Sequence, residues 1–64
     1  MDQLERAAFN SHRVAITRRG TEYVVVARRI ELSPNGERLI GVLPITGDEI
    51  AFELSQVEWF EVLS

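Results

Sequence analysis

Cysteine is absent from the 64 residues, which excludes a disulfide framework and any thiolate metal site. A chain this short buries only about 60% of its unfolded surface, so it depends on a tight core, good turns or association with another chain. Lysine is absent too: all seven cations are arginine. Arginine forms planar, forked hydrogen bonds and stacks on rings, which lysine does not. Histidine occurs once, and there is no G-x-S-x-G, H-E-x-x-H or P-loop pattern. No catalytic residue, metal ligand or cofactor is therefore expected, and His12 reads as a capping or surface residue. No apolar run reaches the roughly 18 residues of a membrane helix, and no basic-then-apolar leader precedes Asp2. The expectation is a soluble, cytoplasmic protein.

The net charge of −3 argues against a general grip on a phosphate backbone. Its distribution is uneven. Residues 1–32 hold six arginines and four acids (+2), whereas residues 33–64 hold one arginine and six acids (−5).

The opening MDQLERAAFNSH predicts a short helix over residues 3–9. Asp2 is placed to cap it, with Glu5 at capping-box spacing, and Leu4, Ala7 and Ala8 form an apolar stripe. So short a helix must dock, with Leu4 and Phe9 as its feet, and Asn10-Ser11 ends it. The period then changes to two. Strands are predicted over 12–18, 21–32, 37–43, 49–54 and 57–63, separated by the turns Arg19-Gly20, Ser33–Gly36 and Thr46–Asp48 and a tight link at Ser55-Gln56. The second strand is long enough to need a bend, placed near Ala27.

The expected fold is one domain, 1–64, mainly β: a five-stranded antiparallel SH3-like or Sm-like small barrel with a short N-terminal α-helix. Closure would remove exposed edges. The expected core is Val14, Ile16, Val24, Val26, Leu39, Ile50, Phe52, Leu54, Val57 and Trp59, with the faces of strand two able to exchange by one residue across its bend. Phe60 is then assigned to the underside of the helix or to an interface, beside Val62.

Two family resemblances carry functional expectations. DQLERAAFNSHRVAITRRG (2–20) resembles the opening of the Rho-binding antiterminators, with an L-E-x-A helix, R-V-x-I-T and a glycine turn. That family implies a protein contact with the termination factor Rho that blocks its RNA site. VVVARRIELSPNGERLIGV and IAFELSQVEWFEV resemble the C-terminal two-thirds of the WYL domain, including the F-x-L-x-x-[IV] ending. WYL domains carry ligand-binding arginines around that ending; the matching positions here are Ile50, Glu53 and Gln56.

Three surface features remain open between a functional and a plain reading. Arg13, Arg18, Arg19, Arg28 and Arg29 could bind an anion or nucleic acid, with Tyr23 as a stacking partner, or could form a charged edge paired with Glu22 and Glu31 that blocks aggregation. If Arg19-Gly20 closes a hairpin, Ile16 lies opposite Tyr23 and Arg13 opposite Val26. Glu49, Glu53, Glu58 and Glu61 could meet a basic protein partner, with Phe60 and Val62 beside them, or serve solubility alone. Finally, strands two, three and five are apolar on both faces, where a half-exposed sheet should be apolar on one. Either the helix covers the surplus or a partner or second copy does. The favoured function is a non-enzymatic protein-binding modulator of transcription. The alternatives are a WYL- or Sm-type nucleic-acid or small-anion binder, and a structural subunit of a homo-oligomer.

Overall fold

The computed structural model describes residues 2–63, the Asp2 side chain excepted, so the expected Asp2 cap lies outside the described residues. Helix α1 (Asp2–Phe9) buries Leu4, Ala7 and Ala8, the apolar stripe. Phe9 is not a docking foot: it is 88% exposed. Five positions beyond Leu4, it lies about 140° around the helix, on the far side from the stripe. The helix ends in a Schellman motif. The His12 amide donates to the Ala7 carbonyl at 2.8 Å, the Ser11 amide donates to that of Ala8 at 3.3 Å, and Ser11 takes φ 56°.

Five strands follow: β1 (Arg13–Arg18), β2 (Thr21–Ser33), β3 (Gly36–Val42), β4 (Glu49–Glu53) and β5 (Trp59–Val62), with a 3₁₀ turn (Leu54–Gln56) before the last. They form one antiparallel sheet in the order β4-β3-β2-β1-β5. The Arg19-Gly20 turn has φ 53° and 75°, positive at both positions as a type I′ hairpin requires. It sets the expected register, Ile16 opposite Tyr23 and Arg13 opposite Val26. The β2–β3 register shifts between Ala27 and Arg29, a bulge where the bend was expected. Beyond it, Pro34-Asn35 joins β2 to β3 and Ser33 pairs with Gly36.

The sheet curls strongly. β1 and β4 stand three places apart in strand order, about 14 Å in a flat sheet. Yet the Arg18 guanidinium of β1 lies 3.4 Å from the Ala51 carbonyl oxygen of β4, which accepts its hydrogen bond. The terminal strands β4 and β5 do not pair with each other among the described residues.

Inside the curl lie Val14, Ile16, Val25, Ala27, Leu39 and Phe52, all at most 1% exposed, with α1 laid over them. Tyr23, Ile30, Ile50, Leu54, Val57, Phe60 and Val62 pack around this core. Two expectations are corrected here. Val25, not Val24 or Val26, is the buried valine of the middle of β2: it stands opposite Val14, and directly opposed residues share a face. In β5, Phe60 stands opposite Ile16 and turns inward, while Trp59, expected in the core, is 55% exposed on the other face. The helix therefore covers the face that was already the core and leaves the outer surplus bare.

Candidate protein-binding face

The outer face follows from the register. Across the strands it reads in rows: Trp59, Thr17 and Glu22; then Glu61, Ala15 and Val24; then Arg13, Val26, Val42 and Glu49, each residue paired with the next. Next comes Arg29 beside Ile40 and Ala51, then Glu31 beside Arg38 and Glu53. The face divides into two halves of different character.

Over β3 and β4 the charges neutralise one another. Arg29 Nε donates to Glu31 Oε2 at 2.6 Å, and Arg28 and Arg29 each bring Nη1 within 3.7 Å of Glu49 Oε2. The Glu31 carboxylate, with Glu49 behind it, raises the Arg29 pKa above its ordinary value. Arg29 and Glu49 reach across β3, which carries Ile40, and Ile40 is only 6% exposed. Glu53 accepts from Ser33 Oγ at 2.9 Å and sits 3.9 Å from Arg38 Nε.

Over β1, β5 and the start of β2 the face is apolar and acidic. Trp59 is 55% and Val24 41% exposed, with Ala15 between their strands. Glu22 and Glu61 flank them, and neither forms an ion pair among the described residues. Val24 also lines an apolar cleft with Leu43, Pro44, Ile45 and Thr46. Ile45, at the tip of the β3–β4 loop, is 97% exposed.

The five candidate arginines are not gathered into one patch. Arg18 does not project at its turn, because strand alternation puts it on the Val14 and Ile16 face. Its guanidinium lies 5.3 Å from the Tyr23 ring centroid and 5.0 Å from that of Phe52. Tyr23 thus already has a stacking partner, and it also meets Phe52 edge-to-face at 5.4 Å. Arg28 and Arg29 sit at the bulge and are engaged by carboxylates. Arg13 and Arg19 are exposed and make no ion pair among the described residues.

The candidate interface residues also separate. Glu49 and Glu53 serve the ion pairs just described, and Glu58 Oε1 accepts from the Gly20 amide at 3.3 Å. Glu61 is exposed on the outer face, whereas Phe60 and Val62 turn their side chains to the core. Among the described residues no cluster of acids and histidine gathers as a metal site. No helix is long and apolar enough to cross a membrane. Sequence reasoning placed Trp59 and Val24 in the core, took Glu22 only as an ion-pair partner for the arginines, and passed over Ile45. The one signal for Ile45 was an isolated β-branched residue inside a Pro- and Gly-bounded turn.

No protein-family model matches the chain, and comparison with curated proteins and with solved structures gives no match.

Proposed function

We propose that the chain is a non-enzymatic regulatory binding module that grips another protein. In this reading it acts as the Rho-binding antiterminators do, as a cytoplasmic modulator of transcription. The observation that carries this reading is the half-exposed Trp59 with Val24, set between Glu22 and Glu61. A tryptophan anchors interfaces because it buries a large rigid surface at little entropic cost. Flanking carboxylates select a basic partner and speed its encounter. The arginines weigh against phosphate as the main partner, since Arg28, Arg29 and Arg38 already stand beside carboxylates.

The exposed Arg13 and Arg19 favour a second reading, a nucleic-acid or small-anion binder of WYL or Sm type. One experiment separates the two. Purified Rho should co-elute with the protein from a sizing column, and Trp59→Ala should abolish co-elution while leaving the melting curve nearly unchanged. Failure to co-elute removes the antiterminator version. RNA binding that weakens steeply with salt supports the second reading. A mass that rises with concentration supports the homo-oligomer.

A further inference from the structure

β5 ends the sheet, and one of its edges has no strand beside it among the described residues. The ladder to β1 fixes which groups lie on that edge. The Leu63 amide donates to the Arg13 carbonyl at 2.8 Å. Along an antiparallel strand, successive residues turn their backbone groups to alternate sides. Leu63 and Glu61 therefore bond toward β1, and the N–H and C=O groups of Phe60 and Val62 point outward.

Two clefts lie alongside. Leu4, Leu54, Val57, Glu58 and Trp59 line one, and Gln3, Arg6, Ala7, His12, Glu61 and Val62 the other. Phe60 lines both, and α1 contributes to each, Leu4 to the first and Arg6 and Ala7 to the second.

We propose that this edge takes an extended segment of another protein as a sixth strand, one that alternates apolar and basic side chains. Resting on the protein-binding reading, this narrows it to recognition through the main chain. The two faces of β5 dictate the occupant. Side chains on the core side of the added strand would meet Phe60, Val62 and the cleft of Leu4, Leu54 and Val57, which calls for apolar residues. Those on the outer side would lie beside Trp59 and Glu61. An exposed indole and a carboxylate without an ion-pair partner among the described residues call there for arginine or lysine. A second copy of this chain is a poor fit. Its own edge strands offer no unpaired cation for Glu61 and Trp59: β5 brings a second Glu61, and the outer face of β4 brings Ala51 and two glutamates already held by Arg28, Arg29 and Arg38.

The test uses the full chain and a short capped peptide alternating arginine and valine. Binding is expected to shift the fluorescence of Trp59, the single tryptophan, and to protect the Phe60 and Val62 amides from hydrogen exchange. Methylating the peptide amides that face β5 should weaken binding about tenfold or more, because each methyl removes a donor from the new ladder. Glu61→Arg should weaken this peptide and strengthen one alternating glutamate and valine. Three results overturn strand addition: no binding at millimolar peptide, equal binding of the methylated peptide, or the same amide protection in a peptide-free dimer. Co-elution with Rho without edge protection removes strand addition alone, whereas absence of both removes the protein-binding reading with it.

Discussion

Adding one methyl group at Gly41 should unsettle the core more than its size suggests. Gly41 lies in β3 opposite Ala27, on the inner face. A Cβ built there would stand 2.6 Å from Val25 Cγ2, 3.0 Å from Val25 Cβ and 3.5 Å from the Val26 carbonyl oxygen. Rotating Val25 does not relieve this, since its own Cβ is one of the two crowding atoms and a β-branched side chain is stiff at χ1. β2 and β3 must instead move apart where Val25 is 0% exposed. Overpacking of this kind costs about 1–3 kcal/mol. Against it stands the about 0.5–1 kcal/mol by which alanine outperforms glycine inside a strand. The net expectation for Gly41→Ala is a loss of about 1–2 kcal/mol. In a domain of this size that lowers the melting temperature by about 4–16 °C. Circular dichroism melts and urea titration read it directly. Val25→Ala alone should cost about 2 kcal/mol through lost burial. In the double variant the smaller side chain makes room, so about 1 kcal/mol or more of the summed loss should return. A Gly41→Ala protein that melts higher than the parent, or a double variant whose losses simply add, would refute the close approach.

Phe52→Ala should cost about 3–5 kcal/mol, most of the about 3–10 kcal/mol available to 64 residues, and should appear as loss of the cooperative melt. Ser11→Gly and Arg19→Asn should each raise the melting temperature, by up to about 1 kcal/mol in stability, because φ 56° and φ 53° suit the new residues better. Trp59→Ala should change stability by less than about 1 kcal/mol while removing partner binding, read by paired melting and sizing-column runs; a collapse of the fold instead would place Trp59 in the core after all.

Features set by single turns could be read from the chain. Arg19-Gly20 fixed the β1–β2 register, Asn10-Ser11 the end of α1, and the excess length of strand two its bulge near Ala27. Facing was harder wherever both sides of a strand are apolar. Val24, Val25 and Val26 offer three equivalent valines, and only pairing across the hairpin chooses among them: Val14 opposite Val25 decides it. In the last strand, Val57 and Glu58 precede the regular part of β5, so counting by twos from Val57 places Trp59 on the wrong side. The candidate face was least legible because it depends on what the helix leaves uncovered, and that is settled by tertiary packing. The arginines were legible in part. Glu31 lies two residues from Arg29 on β2 and pairs with it as the plain reading has it, whereas Glu49, Ala51 and Phe52 come from β4, brought near by the curl.

Arg18 gives that curl a latch. No ladder joins β1 to β4 among the described residues; at this mouth the two strands meet through one guanidinium set against two rings and a carbonyl. A side-chain rotamer, unlike a strand ladder, releases in nanoseconds and without unfolding anything. This end of β4 is therefore held in two unlike ways: the β3 ladder and the buried Phe52 fix its backbone, and Arg18 ties it to β1 through a side chain alone.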